Sequence, residues 1–263
     1  MTKFCSLFSG SSGNCTFVEG ENGGILIDAG GSLRKIATTL QALGTDITHI
    51  RAIFLTHEHI DHIKALPMLF KKWKIPVFAT PGTVAGVCDR FSELERSQFQ
   101  QLDTNATAEI AGMSITSFAT SHDSKESVGF HLCLPNHEQI AVATDLGFVD
   151  DAVRDSLCGC RVVMLESNHD IEMLKKGRYP VFLKRRILSA VGHLSNRDCA
   201  SLLPDLVDSG TEHIVLAHLS KDNNSPRLAL QTAQKVLDQA GSLSHHISIE
   251  AAPRSDHGQV YTL

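Results

Sequence analysis

Six residues constrain this chain more than any other part of its sequence. Residues 57–62 read HEHIDH and directly follow an apolar run that predicts a buried strand. Side chains alternate along an extended segment, so His57 and His59 project to the same side. The chain then turns into a helix that begins near Asp61, from which Asp61 and His62 point back. The segment therefore predicts a metal site, because nitrogen and carboxylate ligands suit Zn²⁺, Mn²⁺ or Fe²⁺.

The spacing within residues 57–62 favours two metal ions over one. Four ligands this close in sequence crowd a single tetrahedral ion. Position 61 is Asp, so the segment is not the H-E-x-x-H helix of zinc proteases. A solvated histidine-rich turn is the alternative, and the position directly after a strand argues against it.

Three further ligand-type residues each follow an apolar strand, the place where sheet proteins position their sites. They are His122, Asp145 and His218. Taken singly, a polar residue at the end of a strand is more often a turn or cap residue. Together with residues 57–62 they form one pattern, which predicts a single metal site built from several strand ends.

Composition supports a folded, soluble chain. Of 263 residues, 42% are hydrophobic and 20% charged, which excludes a disordered chain, a collagen-like fibre and a coiled coil. No apolar run is long enough for a transmembrane helix, and the N-terminus is too polar for a secretory signal. The seven cysteines are then reduced thiols, and we expect a cytoplasmic protein with no membrane partner. A net charge of −5 excludes a wholly basic nucleic-acid coat but not a local basic patch.

The pattern along the chain predicts two sheets with helices outside them, in one α/β domain over residues 1–263. Ser32 and Ser195 are predicted to cap helices, and Ser225 precedes a proline suited to a first helical position. Predicted strands cover residues 4–8, 14–19, 24–28, 50–55, 161–166 and 213–217, with several more between 106 and 144. Predicted helices cover residues 32–43, a segment from Asp61 through 73, 169–176, 180–190, 196–208 and 226–239.

These motifs resemble the metallo-β-lactamase superfamily over residues 24–219. LIDAG, LTHEHIDH, TSHD, ATDLG and LAHLS occur in the expected order. The resemblance implies a four-layer αββα sandwich with a dinuclear site between the sheets, holding two divalent ions, Zn²⁺ or Mn²⁺. It implies that one ion is bound by His57, His59 and His122, the other by Asp61, His62 and His218, with Asp145 bridging and Asp28 supporting the metal loops. A water between two cations loses its proton near neutral pH and becomes a hydroxide nucleophile, which Asp61 would orient.

One element points to phosphodiester chemistry. Residues 192–196 (GHLSN), ending in Ala200, are similar to the H-T-S-x-x-x-A element of tRNA-processing nucleases of this fold. That similarity implies that His193 acts as general acid or phosphate contact and that Glu166 orients it. The alternative is that His193 only contacts the helix that begins after Ser195.

A local basic stretch indicates a polyanionic partner. Residues 171–190 contain one acidic residue, Glu172, and six cations: Lys175, Lys176, Arg178, Lys184, Arg185 and Arg186. Such a patch attracts phosphate backbones, and we expect Lys184, Arg185 and Arg186 to contact DNA. The alternative is a solvated face of an amphipathic helix.

The amino-acid sequences of several segments, spread over nearly the whole chain, resemble those of one subgroup, the YycJ/WalJ family. The matching segments are FSGSSGN at 8–14, ESNHD at 166–170, YPVFLKRRI at 179–187, GHLSN at 192–196 and LSKDNN at 219–224. The resemblance implies a bacterial cytoplasmic 5′→3′ DNA exonuclease. Asn14 and His169 are placed for substrate or supporting roles, and the roles of Asn223 and Asn224 stay open.

The sequence thus predicts a dinuclear metal-dependent phosphodiester hydrolase that attacks DNA from a 5′ end. Two alternatives remain at this point. One is a small-molecule phosphodiesterase or thioester hydrolase of the same fold. The other is a non-catalytic, metal-containing DNA-binding module. The native metal, the strand preference and the oligomeric state are not specified by the sequence.

Overall fold

A computed structural model describes residues 1–241 and 247–263, and within them two seven-stranded sheets. The strands of the first sheet are β1 (Lys3–Phe8), β2 (Cys15–Gly20), β3 (Gly23–Ile27), β4 (Ile50–Phe54), β5 (Val77–Ala79) and β6 (Phe99–Gln101). Those of the second are β7 (Thr107–Ile110), β8 (Met113–Ala119), β9 (Val128–Cys133), β10 (Gln139–Ala143), β11 (Val162–Glu166), β12 (His213–Ala217) and β13 (Ser248–Ala251). A last strand, β14 (Tyr261–Thr262), returns to the first sheet beside β1.

Both sheets follow the same plan. Strands β1 to β3 are antiparallel, and from β3 to β6 the pairing is parallel. Likewise β7 to β10 are antiparallel, and from β10 to β13 the pairing is parallel. Parallel strands end at the same edge of a sheet, so each sheet gathers the loops that follow its parallel strands along one edge.

Helices flank the two sheets. They are α1 (Leu33–Ala42), α2 (Ile60–Ile63), α3 (Leu66–Lys72), α4 (Pro81–Arg90), α5 (Asp151–Leu157), α6 (Ile171–Lys176), α7 (Val181–Ile187), α8 (Asn196–Asp208) and α9 (Pro226–Ala240). The predicted caps are confirmed, because the hydroxyls of Ser32 and Ser195 each accept a hydrogen bond from the first turn of α1 and α8. Pro226 is the first residue of α9, as predicted, and the Ser225 hydroxyl caps that helix as well.

The core lies in three layers, which explains why the parallel strands are apolar on both faces. In β11, Val162 and Met164 pack between the two sheets, whereas Val163 and Leu165 pack under the outer helices. The first sheet packs its other face against α1, α3 and α4. A strand buried on both faces has a continuous apolar sequence rather than alternating apolar and polar residues. The layers are therefore α, β, β and α, which confirms the predicted sandwich.

One predicted helix is corrected by the structure. The segment after Asp61 is not a single helix, because α2 ends at Ile63 and α3 begins at Leu66. Pro67 lies in the first turn of α3, where proline is tolerated because its missing N–H has no partner within a helix. A second helix therefore begins there. The sequence carried no prediction for β5, α4 and β6, which lie between residues 75 and 105.

None of the helices in the described ranges is long and apolar enough to cross a membrane. The organisation of residues 1–263 as one domain stays a prediction. The apolar layer shared by both sheets supports it, because residues from β1 to β4 and from β8 to β12 pack together there.

Candidate metal centre

The centre lies where the carboxyl ends of the parallel strands of the two sheets come together. Asp28 follows β3 and His57 follows β4 in the first sheet. Asp145 follows β10, and His218 follows β12, in the second. Residues far apart in sequence are thereby brought to one place, as the pattern of polar residues at strand ends predicts.

Three of these residues have a left-handed backbone. The φ angles are 63° at Asp28, 59° at Asp145 and 54° at His218. Non-glycine residues rarely adopt this conformation, and it costs about 1–3 kcal/mol when imposed on an ordinary side chain. At each of these strand ends the chain therefore turns sharply, and the surrounding hydrogen bonds must hold the turn in place.

Two groups of donor atoms lie side by side in this space. The first contains His57, His59 and His122, and the second contains Asp61, His62 and His218. Within each group the candidate ligand atoms all lie within 4.8 Å of one another. Nδ1 of His59 lies 3.3 Å from Nε2 of His122. Oδ2 of Asp61 lies 3.6 Å from Nε2 of His62 and 3.5 Å from Nε2 of His218.

Asp145 lies between the two groups. Its Oδ2 atom is 3.2 Å from Nε2 of His62, and its Oδ1 atom is 3.8 Å from Nε2 of His122. One carboxylate thus faces a histidine of each group with a different oxygen. This is the placement expected of a bridging ligand.

Hydrogen bonds on the far side of each ring orient the imidazoles. Nδ1 of His62 lies 2.7 Å from Oδ2 of Asp28, and Nδ1 of His122 lies 2.9 Å from the carbonyl of Gly192. A carboxylate or carbonyl oxygen only accepts, so Nδ1 donates in both pairs and Nε2 keeps its lone pair toward the centre. Asp28 also accepts from the backbone N–H and the hydroxyl of Thr56, at 2.9 Å each.

Glu166 is the second supporting acid, and it holds two histidines at once. Its Oε1 atom lies 2.9 Å from Nδ1 of His193 and 2.8 Å from Nδ1 of His218. Its Oε2 atom accepts from the backbone N–H groups of Leu146 and Leu194, at 3.1 and 3.0 Å. The side chain is 0% exposed. Glu166 therefore links the loops after β10 and β12 to His193.

The donor set fits divalent cations. Among the described residues, Nε2 of His57, Nε2 of His218 and Oδ2 of Asp145 are buried and have no hydrogen-bond partner. A buried polar atom without a partner costs about 1–3 kcal/mol, and a metal–ligand bond removes that cost. All three atoms belong to the donor groups. The centre is therefore suited to binding divalent metal.

The charges of the buried groups also favour bound cations. Burial alone lowers the pKa of His62, but the nearby Asp28 and Asp145 carboxylates outweigh burial and raise it well above its usual value. Burial alone raises the pKa of Glu166, but the His193 and His218 imidazoles together outweigh burial and lower it to about 2. The buried carboxylates of this centre thus favour positive charge on the groups that face them.

A cavity of about 220 Å³ opens onto this centre. Asp61, Asp145, His193 and His218 line one side of it, and Tyr179, Leu183 and Arg186 line another. The guanidinium of Arg186 forms an ion pair with Asp123, with Nη2 at 2.9 Å from Oδ1. Of the predicted DNA-contacting cations, Arg186 is thus the one that lines the cavity.

The other predicted substrate residues occupy different positions. The amine of Lys184 donates to the carbonyl of Lys175 at 2.7 Å, and Arg185 is exposed. The amide nitrogen of Asn14 lies 3.3 Å from Oδ2 of Asp61 and 2.9 Å from Nε2 of His62, so Asn14 contacts two predicted ligands. His169 is 1% exposed, and neither ring nitrogen has a hydrogen-bond partner among the described residues.

Sequence reasoning missed several residues of the site. Thr56 connects Asp28 to the rings of His57 and His62, and Asp123 pairs with Arg186. Asn168 lines the cavity and donates its amide to the carbonyl of His218 at 2.9 Å. Thr56 and Asp123 directly precede or follow a predicted ligand, which is the one signal that could have drawn attention to them.

The sequence matches the family described as a β-lactamase superfamily domain over residues 24–219. It is 37% identical over 238 residues to "Exodeoxyribonuclease YycJ" of Bacillus anthracis, with 90% of each chain covered. The chain belongs to this superfamily and, within it, to the YycJ/WalJ family. "Exodeoxyribonuclease WalJ" of Streptococcus pneumoniae is 34% identical over 240 residues, covering 90% of this chain and 89% of that protein. Membership and donor set together identify a metal-dependent hydrolase.

Solved structures share the fold. The metallo-β-lactamase fold protein YhfI from Bacillus subtilis superposes with a TM-score of 0.72 at 15% identity, covering 99% of this chain and 98% of that one. Zn²⁺-bound PqqB from Methylobacterium extorquens superposes with a TM-score of 0.69 at 16% identity, with both chains fully covered. These likenesses confirm the sandwich architecture of the superfamily.

Substitution Asp28→Asn tests the support of the metal ligands. Asparagine tolerates the left-handed backbone at this position and keeps the shape of the side chain, so the change removes mainly the charge beside His62. We expect the affinity for Zn²⁺ or Mn²⁺ to fall about 10- to 100-fold, because the Asp28 carboxylate that accepts from Nδ1 of His62 raises the basicity of that ring. Calorimetric titration with metal measures this. Asp46→Asn, which alters an exposed helix cap, is the matched control, and equal affinities in all three proteins would contradict the role of Asp28.

Proposed function

We propose that this chain is a metal-dependent exodeoxyribonuclease that uses two divalent ions and degrades DNA from a 5′ end. The observation that carries the proposal is one cavity shared by the donor groups, by His193 and by a basic helix, α7. The printed names of the relatives support DNA as the substrate. The 5′ polarity rests on the resemblance of the sequence to the YycJ/WalJ family.

Charge supports two ions rather than one. Asp28, Asp145 and Glu166 are buried, and Asp61 is half-buried beside them. Four carboxylates in so small a volume require compensating positive charge, since an isolated buried ion costs several kcal/mol. Two divalent cations balance four carboxylates while the histidines of the two donor groups stay neutral. The two separate donor groups, with Asp145 between them, provide one position for each ion.

The chemistry divides between the ions and the side chains. Bound divalent cations lower the pKa of water and take up negative charge on the phosphoryl group. Asp61 has an oxygen beside both His62 and His218 and lines the cavity, so it is placed to accept a hydrogen bond from the attacking water and to orient it. The buried Asp145 holds the two donor groups at a fixed separation.

His193 is placed to donate a proton to the leaving oxygen. Its Nδ1 atom is held by Glu166, so Nε2 is the nitrogen left for the substrate. The residue lines the cavity and lies beside His122 and His218, with ring centroids 5.0 and 5.2 Å apart. An acid that protonates the departing 3′ oxygen of the terminal nucleotide is worth about 10²- to 10⁴-fold in rate.

Digestion of end-labelled DNA tests the proposed function. Single-stranded DNA labelled at the 5′ or the 3′ end is incubated with protein loaded with Mn²⁺ or Zn²⁺, with a chelator and Asp61→Ala as controls. We expect the 5′ label to be released first as a mononucleotide and both controls to be inactive. Intact DNA with metal bound would contradict the proposal and favour a small phosphodiester or thioester substrate. Release of the 3′ label first would contradict the polarity.

Substitution His193→Gln tests the proton donor. We expect kcat on DNA to fall about 10²- to 10⁴-fold while the metal content stays unchanged. The activity on bis(p-nitrophenyl) phosphate should fall much less, because p-nitrophenolate leaves without protonation. A histidine of β9, His131, whose Nε2 contacts Gln139, supplies the matched control His131→Gln. Equal losses on both substrates would indicate a structural role for His193 and contradict this assignment.

A further inference from the structure

The cavity is bordered by an unusual concentration of exposed apolar side chains. Within the described residues ten large hydrophobic side chains are exposed, and five of them lie between residues 173 and 191: Met173, Val181, Phe182, Leu188 and Val191. This segment contains α7, which contributes Leu183, Arg186 and Ile187 to the wall of the cavity. Contiguous exposed apolar groups beside a site indicate a binding surface.

The same segment is strongly basic. Residues 173–191 contain no Asp or Glu. They contain six cations: Lys175, Lys176, Arg178, Lys184, Arg185 and Arg186. An apolar surface set among positive charges repels a second copy of itself. It is complementary to a polyanion that also carries apolar surfaces.

Helix α7 presents an aromatic ring and guanidinium groups on one face. Phe182, Arg185 and Arg186 have the spacing i, i+3 and i+4, so their side chains are neighbours on the helix surface. Phe182 is 73% exposed, whereas Arg186 lines the cavity. The face therefore extends from the cavity wall to an uncovered aromatic ring.

This face is held rigidly against the centre. The carbonyl of Ile187, the last residue of α7, accepts a hydrogen bond from the backbone N–H of His193 at 3.0 Å. Arg186 is paired with Asp123, and Lys184 is bonded to the carbonyl of Lys175 at the end of α6. A platform fixed in this way loses little conformational entropy when a ligand binds.

We propose that Phe182 is a stacking platform for an unpaired base of the DNA strand whose end enters the cavity, with Arg185 contacting the adjoining phosphate. The inference rests on the proposed nuclease function and specifies how the unpaired end of the strand, from single-stranded DNA or from an opened duplex end, is held beside the cavity. An exposed ring can stack on an unpaired base, whereas the bases inside a duplex already stack on one another. Base–aromatic stacking tolerates every base, as an exonuclease requires.

Binding measurements separate this inference from the proposed activity. The probes are two fluorescent, phosphorothioate-linked oligonucleotides of equal length, one of deoxythymidine and one without bases. Both resist cleavage and carry the same charge. With metal-loaded protein, we expect Phe182→Ala to weaken binding of the base-containing probe by about 5- to 30-fold, as the loss of one stacked base implies. Binding of the abasic probe should change less than about twofold, and Phe182→Trp should restore binding.

Two controls complete the test. Val260→Ala removes an exposed apolar side chain outside the segment 173–191 and should leave the binding of both probes unchanged. The metal content of Phe182→Ala should equal that of the unmodified protein, which shows an intact metal centre.

The possible outcomes are distinct. Unchanged binding of the base-containing probe by Phe182→Ala would overturn the inference. An equal loss on both probes would also overturn it, because the ring would then not act through bases. A dimer in light scattering that Phe182→Ala converts to a monomer would assign this face to a second copy instead. If Phe182-dependent binding is found but labelled DNA is not cleaved, the stacking platform stands and the proposed nuclease function falls.

Discussion

The structure depends on a set of buried carboxylates that face imidazoles across the ends of two sheets. Asp28 and Glu166 lie behind the rings of His62 and His218 and accept hydrogen bonds from their Nδ1 atoms. Each acid also accepts backbone N–H groups, so the charge that orients the rings also fixes the loops that carry them. The same hydrogen bonds therefore set both the charge distribution of the centre and the conformation of the strand ends, and the resulting centre is suited to divalent cations.

The two sheets position these residues in the same way. Each changes from antiparallel to parallel pairing at one strand, β3 or β10, and each such strand is followed by an aspartate with a left-handed backbone, Asp28 or Asp145. One aspartate supports a ligand, and the other faces both donor groups. The adjoining helix α7 contributes Arg186 to the wall of the cavity and carries the exposed ring of Phe182 nearby on its surface, so a surface suited to a polyanion borders the centre.

The sequence predicted the strands that carry the site and the residues that meet there, because apolar runs ending in histidine or aspartate are a local signal. It did not reveal the hydrogen bond from Asn14 to Asp61 or the pair between Arg186 and Asp123. These contacts join residues 47 and 63 positions apart, and no local pattern encodes such a pairing. The prediction of one continuous helix after Asp61 was wrong, because Pro67 lies in the first turn of a second helix.

Metal content per chain tests the central claim most directly. Purified protein is stripped of metal, dialysed to equilibrium against Mn²⁺ or Zn²⁺, and measured by elemental mass spectrometry. The account predicts two ions per chain, one for each donor group, and one or fewer in Asp145→Asn, because the carboxylate between the groups is lost. A single ion in the unmodified protein, or an unchanged content in the variant, would contradict it.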